Sequence, residues 1–220
     1  MSDSQPEGDF ERVDALLAAD DYDALDALLA DDPSFARTRG PKDQSILLQA
    51  LYRGRRRAAH RLAEAKQTVD VFEMVGLGLV DGVRGMLEIS PQVPTAIAPD
   101  GFPLLHLACY LSQPEIAELL LEHGADPESR STNGAELAAL HAAVAGGDLA
   151  CVELLLARDV DVNALQQGGI TALHAAAHHG RPDMVRALLR AGADPALTCE
   201  AGRDARSWGA EHPKVLALLV

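Results

Sequence analysis

The sequence is poor in aromatic residues, with four phenylalanines, three tyrosines and one tryptophan among 220 residues. Hydrophobic residues nevertheless make up 48% of the chain. Alanine and leucine, both strong helix formers, therefore supply most of the apolar surface. This composition predicts a helical core and argues against an aromatic-rich β core.

Long hydrophobic runs are also missing. No apolar run approaches the length of about 18 residues that a membrane span needs, and no signal-peptide pattern is recognisable. The three cysteines, Cys109, Cys151 and Cys199, are odd in number, which does not fit a disulfide framework. We therefore expect a cytoplasmic protein without a membrane segment, with its thiols in packing positions.

Basic residues are scarce, since the chain has 19 lysines and arginines compared with 33 acids, and its net charge is -14. A generally acidic surface repels phosphate backbones, so the charge argues against nucleic acid as the main partner. The charge is uneven, because residues 1–33 hold 11 acids and 1 base whereas residues 34–66 hold 2 acids and 9 bases.

The sequence lacks the short motifs of common catalytic sites. It has no G-x-S-x-G elbow and no phosphate-binding Gly-Lys-Ser/Thr loop. His174 and His178 are four residues apart, yet no third ligand follows at the spacing that a zinc site requires. We predict that the protein is not an enzyme and has no catalytic residues, no cofactor and no metal.

One pattern occurs three times between residues 100 and 198. Its histidines, His106, His141 and His174, are 35 and 33 residues apart. A period of this length is the signature of stacked helical pairs, each too small to bury its apolar face alone. We predict that the three histidines have structural roles and link the backbones of adjacent repeats.

Residues with special backbone roles stand where the helices of this pattern would begin and end. Thr171 is suited to cap a first helix, and Pro182 to the first turn of a second helix. Gly124 and Gly192 occupy the left-handed position that ends a helix. Asp159 takes that place in the middle repeat, so we expect the most strained turn there.

These three segments resemble ankyrin repeats, whose motif has a TPLH-type helix start, a glycine turn, a Leu-rich second helix and a GAD-type ending. The matching letters are LLHLACYLSQPEIAELLLEHGAD, LHAAVAGGDLACVELLLARDVDVNA and TALHAAAHHGRPDMVRALLRAGAD. The segments DQSILLQALYRG, VFEMVGLGLVDGVRGMLE and QQGGITALHAAAHHG further resemble bacterial intracellular ankyrin repeat proteins of this length.

The resemblance implies an all-α fold, an ankyrin-repeat α-solenoid of about seven stacked helix-turn-helix units whose first and last units are degenerate caps. Residues 1–8 are expected to be a flexible tail and residues 9–220 a single domain. The predicted units are residues 9–33, 44–66, 70–89, 100–127, 134–162, 168–195 and 202–220.

In the less regular repeats, Asp14, Leu48, Phe72 and Ser207 occupy the position equivalent to His174. The step from Leu48 to Phe72 is only 24 residues. We therefore predict that the hairpin finger between these two repeats is missing. Pro103, Ala138 and Asp204 replace the capping threonine, so we expect weaker helix starts there.

The resemblance also implies a non-catalytic protein–protein interaction scaffold. In ankyrin repeats generally, partners lie along the concave face formed by the hairpin fingers and the exposed side of each first helix. We predict an unidentified protein or peptide as the partner and a monomeric chain. The candidate partner-binding residues are Tyr52, Phe102, Tyr110, Leu111, Arg130, Gln166, Gln167, Ile170, His178 and His179.

A cluster of arginines leaves two interpretations open. It comprises Arg53, Arg55, Arg56 and Arg57, with Arg61 one turn further on. One interpretation is a docking patch for an acidic peptide, a phosphate group or nucleic acid. The other is that the cluster pairs with the acidic first helical pair, through Asp20, Asp21 and Asp23. Another alternative function is an inhibitor or immunity-type accessory protein for a basic enzyme or toxin, which requires acidic residues to cluster on the concave face.

Overall fold

The computed structural model describes residues 6–219. Within this range the chain forms fourteen α-helices in seven consecutive pairs, and its only β-type pairings are isolated bridges. The predicted all-α repeat architecture is therefore confirmed. The first seven helices are α1 (Pro6–Ala19), α2 (Tyr22–Asp31), α3 (Ile46–Tyr52), α4 (Arg56–Lys66), α5 (Val71–Leu77), α6 (Val80–Ile89) and α7 (Leu104–Tyr110). The others are α8 (Pro114–Glu122), α9 (Ala139–Gly146), α10 (Leu149–Leu156), α11 (Ala172–His178), α12 (Pro182–Arg190), α13 (Ala205–Trp208) and α14 (Pro213–Leu216).

The chain divides into two compact units, of which the first ends at Met86 and the second begins at Leu87, within α6. The expectation of a single domain over residues 9–220 stays a prediction. Helix α1 begins at Pro6, so part of the predicted tail is helical, and residues 1–5 lie outside the described range. None of the helices within residues 6–219 has the length and apolar composition needed to cross a bilayer.

The first compact unit is held together by leucine-rich helices with polar caps. Leu25 of α2, Ile46 of α3 and Leu62 of α4 are almost completely buried. Asp21 caps α2 by accepting a hydrogen bond from the amide of Ala24. Such caps satisfy backbone donors that a helix start leaves unpaired.

The hairpin finger predicted to be missing is indeed missing. Arg39 and Ser45 form a bridge in the finger before α3, and Ser45 caps that helix. Between α4 and α5, in contrast, only residues 67–70 remain, and no bridge forms among these described residues. Four residues are too few to extend outwards, pair and return to the next helix.

The structure corrects the alignment at α5, because Glu73 takes the position assigned to Phe72. Asp70 and Glu73 form a reciprocal capping box, with each side chain accepting from the other residue's amide at 3.0 Å. Thr171 and His174 have the same relationship at α11. The sequence alignment failed because α5 ends directly at the left-handed Gly78, one residue earlier than its counterparts.

Glu73 is also the most deeply buried acid of the first compact unit. Its side chain is 0% exposed and lies 2.6 Å from Nζ of Lys66, whose side chain is 12% exposed. Lys66 is at the end of α4, so this pair connects the two helices across the shortened loop. A buried carboxylate needs such a partner, because removing its charge from water is costly.

The second compact unit consists of stacked pairs from α7 to α14. The first helices are rich in alanine and pack closely, and the second helices bury larger side chains such as Ile116, Leu155 and Met184. Gly124 and Gly192 have φ of 93° and 94°, as predicted for helix ends. Asp159 has φ of 53° at the equivalent place. The left-handed turn predicted for this non-glycine residue is confirmed.

The capping positions of the first helices differ from the expectation at one place. Thr171 caps α11 as predicted, and neither Pro103 nor Ala138 makes a side-chain cap. Asp204, however, accepts a hydrogen bond from the amide of Ser207 at 2.8 Å. The expected weakness at α13 is therefore wrong, because an aspartate replaces threonine in the same role.

Candidate functional site

Three histidines connect the first helices of the second compact unit to the segments that follow. We call His106, His141 and His174 the linking histidines. Because a carbonyl oxygen only accepts, Nε2 of each ring donates the hydrogen bond. The bonds run from His106 to the carbonyl of Leu137 (2.9 Å), from His141 to that of Ile170 (3.2 Å) and from His174 to that of Arg203 (3.2 Å).

Burial keeps the linking histidines neutral. His106 and His141 are 1% and 2% exposed, and this burial is the main cause that lowers the pKa of each to about 4. Burial also lowers the pKa of His174. Both ring nitrogens of His174 are engaged, since Nδ1 lies 2.8 Å from the hydroxyl of Thr171. The predicted structural role is confirmed, and His174 has no nitrogen available for a metal.

Hairpin fingers precede the first helices and carry two rows of side chains. Each finger of this unit is closed by an amide that donates to a carbonyl on its second strand: Ala98 to Phe102, Ser131 to Leu137, Gln166 to Ile170 and Cys199 to Arg203. The residue just before each amide forms the first-strand row: Ile97, Arg130, Leu165 and Thr198. The residues that accept form the second-strand row: Phe102, Leu137, Ile170 and Arg203.

Adjacent fingers are hydrogen-bonded to each other near their tips, which holds the two rows in register. The amides of Thr132, Gln167 and Glu200 donate to the carbonyls of Gly101, Ala135 and Gly168 at 2.8, 3.0 and 2.9 Å. Each row is consequently a continuous line that crosses consecutive repeats.

Large apolar side chains are exposed in the first-strand row. Ile97 is 48% exposed and Leu165 is 50% exposed, and Arg130, also exposed, lies between them in the row. Nη1 of Arg130 donates to the carbonyls of Glu136 at 3.0 Å and Leu165 at 2.6 Å. Sequence reasoning selected Arg130 but missed Ile97 and Leu165. Their spacing of 33 and 35 residues from Arg130 was the signal that could have found them.

The other predicted finger residues belong to these hairpins. Phe102 and Ile170 are half-buried members of the second-strand row. The backbone amide of Gln166 donates a hydrogen bond within its own finger, and that of Gln167 donates one to the preceding finger. The side chain of Gln167 is exposed. The structure thus places these four residues beside Arg130 in one series of fingers.

The ends of the first helices are less uniform than predicted. Tyr110 is 38% exposed, although it also has a contact within the protein. Leu111, its neighbour, is only 7% exposed and belongs to the core. The expectation that Leu111 is available to a partner is therefore corrected, because Leu111 follows the last turn of α7 and its side chain lies inward.

The predicted histidine pair lies beside the single tryptophan. His178 and His179 are both exposed, and their ring centroids are 5.3 Å apart. The ring of Trp208 approaches His178 edge-on at 5.3 Å, and the guanidinium of Arg203 lies 4.6 Å from the Trp208 centroid. Partial burial is the main cause that lowers the pKa of His179, and the neighbouring His178 lowers it further.

The arginine cluster lies in the first compact unit and is largely engaged with the acidic first helical pair. Arg53 forms an ion pair with Asp14 at 2.9 Å, Arg55 forms one with Asp20 at 2.9 Å, and Arg61 pairs with Asp26. Arg57 stacks over the ring of Tyr22 at 4.9 Å. Arg56 and the half-buried Tyr52 also have contacts within the protein. Pairing through Asp20 matches the prediction, whereas Asp14 and Asp26 take the places expected for Asp21 and Asp23.

A family described as ankyrin repeats (3 copies) matches residues 105–199, which contain all three linking histidines. This stretch consists of ankyrin repeats. The family match and the helical pairs agree with the fold expected from the sequence.

Relatives match the same kind of segment. The B-cell lymphoma 3 protein homolog of Mus musculus is 38% identical over 98 residues, or 44% of this chain and 22% of that protein. The NF-kappa-B inhibitor alpha of Sus scrofa is 43% identical over 96 residues, or 41% of this chain and 30% of that protein. The protein phosphatase 1 regulatory subunit 27 of Homo sapiens is 44% identical over 66 residues, or 30% of this chain and 43% of that protein.

The matches span less than half of each of these relatives. Ankyrin repeats generally mediate protein–protein interaction, and two of the relatives are named as an inhibitor and a regulatory subunit. The narrower resemblance to bacterial ankyrin repeat proteins stays a prediction.

The acidic residues between positions 100 and 162 are distributed over second helices, loops and fingers. Residues 100–162 hold 11 acids and 2 bases. Glu115, Glu118 and Glu122 form the exposed face of α8, whose other side is buried, and Glu153 is exposed on α10. Four of these 11 acids thus lie on second helices, whereas Asp100 and Glu136 lie in the fingers.

Asn163, at the end of the middle ankyrin repeat, has a structural role. Its side-chain amide donates to the carbonyl of Gly192 at 3.3 Å and its oxygen accepts from the amide of Asp194 at 2.8 Å. The asparagine thus links two consecutive repeats.

Proposed function

We propose that the protein is a non-catalytic scaffold that binds a protein or peptide partner along the fingers of its ankyrin repeats. The observation that carries this proposal is the alignment of exposed apolar side chains in the first-strand row, with Ile97 and Leu165 each about half exposed. With the half-buried Phe102 and Ile170 of the neighbouring row, they form an apolar surface that contains the polar Arg130, and such a surface is typical of interaction sites.

The residues around this row have the composition of binding anchors. Phe102 and Ile170 lie in the second-strand row, and Tyr110 is exposed at the end of α7. Aromatic residues and arginine dominate the energy of protein interfaces, because they bury a large area and also form directed polar contacts. A partner that contacts both rows would cover these side chains together.

Two alternatives receive less support. An immunity-type protein for a basic toxin would need its acids on the partner-binding surface, whereas Glu115, Glu118 and Glu122 occupy the exposed face of a second helix. An anion-binding site at the arginine cluster would have to compete with Asp14 and Asp20, which already pair with the arginines.

We further propose that the chain acts as a monomer in the cytoplasm. Cys109, Cys151 and Cys199 are buried and unpaired, as expected in a reducing compartment. Size-exclusion chromatography with light scattering measures the oligomeric state. A dimer would contradict the monomer without affecting the finger surface.

The double variant Phe102→Ala, Tyr110→Ala tests the binding function. Affinity capture from native lysate, with bound proteins identified by mass spectrometry, should lose its specific partner in this variant. Circular dichroism should show unchanged helix content, because Tyr110 is exposed and Phe102 lies outside the helices.

The matched control is Glu115→Ala, Glu118→Ala, which alters two exposed residues on the second helix of the same repeat. This control should retain the partner. If the α8 variant loses the partner and the finger variant keeps it, the partner binds the second helices and the proposal is wrong.

A further inference from the structure

The order of aliphatic and charged side chains in the first-strand row indicates which kind of peptide segment can bind there. This inference rests on the proposed binding function. Ile97, Arg130 and Leu165 follow one another in consecutive repeats, so a cation lies between two exposed aliphatic side chains. Thr198 ends the row with a small polar side chain.

The guanidinium of Arg130 is held in place by backbone atoms. Nη1 donates to the carbonyls of Glu136 at 3.0 Å and Leu165 at 2.6 Å, and among the described residues no hydrogen bond uses Nε or Nη2. The guanidinium therefore presents an oriented edge to solvent. Such an edge matches the two oxygens of a carboxylate, and its prior fixation lowers the entropy lost on binding.

A small cavity lies between Ile97 and Arg130. Its volume is about 100 Å³, and Pro94, Pro103, Leu105 and Ala125 contribute to its walls. A water molecule takes about 30 Å³ in the liquid, so the cavity holds roughly three waters or one aliphatic side chain. Thr95, Asp126 and Ser129 line the rest of the cavity, so an aliphatic group would contact its apolar wall and leave the polar side to solvent.

The general packing distance of stacked helices favours one conformation of the bound segment. Stacked helices pack about 8–10 Å apart, so equivalent residues of consecutive repeats are separated by a similar distance. A polyproline II segment places every third side chain on one face and rises about 9.3 Å over three residues. A β-strand repeats its face every two residues, at about 6.6 Å, and an α-helix every seven, at about 10.5 Å, so both fit less well.

We propose that the first-strand row binds a polyproline II segment with the pattern aliphatic–x–x–acid–x–x–aliphatic. The acid pairs with Arg130, and the aliphatic residues contact Ile97 and Leu165. The many acids of the surrounding repeats disfavour further negative charge, so the x positions are neutral or basic. The pattern reads the same in both chain directions, which matches the position of Arg130 between Ile97 and Leu165.

Selection from a phage-displayed library of random twelve-residue peptides tests this pattern, with the full chain immobilised. The expected result is enrichment of Asp or Glu three residues from an aliphatic side chain on each side. Replacing Arg130 by glutamine should weaken a selected peptide about ten- to a hundredfold, because a charged hydrogen bond is lost. Fluorescence anisotropy with the synthetic peptide measures this change.

Charge reversal provides a readout that a purely structural role of Arg130 would not change. Selection on Arg130→Glu should replace the central acid by Lys or Arg while retaining both flanking aliphatic residues. The matched control is Arg158→Glu, an exposed arginine of the middle repeat outside the row. It should enrich the same peptides as the wild-type protein.

Other outcomes overturn the inference. Enrichment at seven-residue spacing would mean a helical partner, and an unchanged central residue on Arg130→Glu would mean that the arginine does not read charge. A library without any enriched pattern also contradicts it. Peptides that bind independently of Arg130 but are lost in the Phe102, Tyr110 double variant would leave the proposed binding function intact, so the two failures are distinguishable.

Discussion

The replacement Pro103→Thr should stabilise the protein, although it removes a proline. Nδ1 of His106 is buried without a hydrogen-bond partner among the described residues. At the equivalent places, Nδ1 of His141 accepts from the amide of Ala138 at 3.3 Å and Nδ1 of His174 accepts from the amide of Thr171 at 3.1 Å. Proline has no amide hydrogen, so it cannot satisfy the ring of His106.

The expected gain follows from two new hydrogen bonds. Supplying an amide to the buried Nδ1 contributes about 1 kcal/mol. The threonine hydroxyl can also cap α7 as Thr171 caps α11, which contributes about 1 kcal/mol. Losing the rigid proline costs about 0.4–1 kcal/mol through the unfolded state. The free energy of unfolding should therefore rise by about 1–2 kcal/mol.

Urea unfolding followed by circular dichroism measures this change as a shift of the midpoint at constant slope. Pro103→Val is the matched control, because valine has the shape of threonine and supplies the amide without the hydroxyl. Ala138→Thr supplies only the hydroxyl, since its amide is already bonded to His141. If Pro103→Thr is no more stable than Pro103→Val and the wild-type protein, the account of this helix start is wrong.

Three further predictions concern the backbone, pH and the buried ion pair. Asp159→Gly should raise the free energy of unfolding by about 0.5–1 kcal/mol, because glycine adopts φ of 53° without strain, whereas Arg158→Gly should not stabilise. Stability should fall in acid. Two linking histidines have a pKa lowered from 6.5 to about 4, so their contribution is complete above pH 6.5 and is lost towards pH 4. Each should contribute about 3 kcal/mol over this window. Lys66→Met should cost about 3–5 kcal/mol by leaving Glu73 buried without its cation. Adding Glu73→Gln should recover part of that loss, because the glutamine still caps α5.

For each of these three predictions, one experimental result would contradict the reasoning. If Arg158→Gly also raised the free energy of unfolding, the gain at Asp159 would not be due to its left-handed backbone conformation. Unfolding midpoints that stay constant between pH 7 and 5 would contradict a neutral, buried state of the linking histidines. Equal losses for the single Lys66 variant and the double variant would show that the carboxylate needs no counter-charge.

The sequence predicted most of the repeat architecture. The histidine spacing, the threonine and proline at helix starts and the glycines at helix ends are local signals, and each repeats with the same period. The short step after Leu48 predicted the missing finger, because chain length alone limits what a loop can form. The same reasoning misassigned Phe72, since a helix one residue shorter leaves no mark in the apolar pattern.

The candidate site was less predictable. Arg130 was predicted from its position in a hairpin finger, whereas Ile97 and Leu165 are indistinguishable in composition from core residues. Leu111 shows the opposite error, because its position suggested exposure and its side chain turned inward. Exposure depends on which neighbour covers a residue, and that neighbour lies about one repeat away in the chain.

The amino-acid sequence by itself determined that this protein is a series of helical pairs, because caps, turns and helical periodicity act within a few residues. Only the tertiary structure decided which arginines are neutralised by Asp14 and Asp20, which linking histidine has a ring nitrogen without a partner and which aliphatic residues face solvent. These features arise from contacts between residues about 30 to 40 positions apart, where the distance between two side chains is set by the packing of whole repeats.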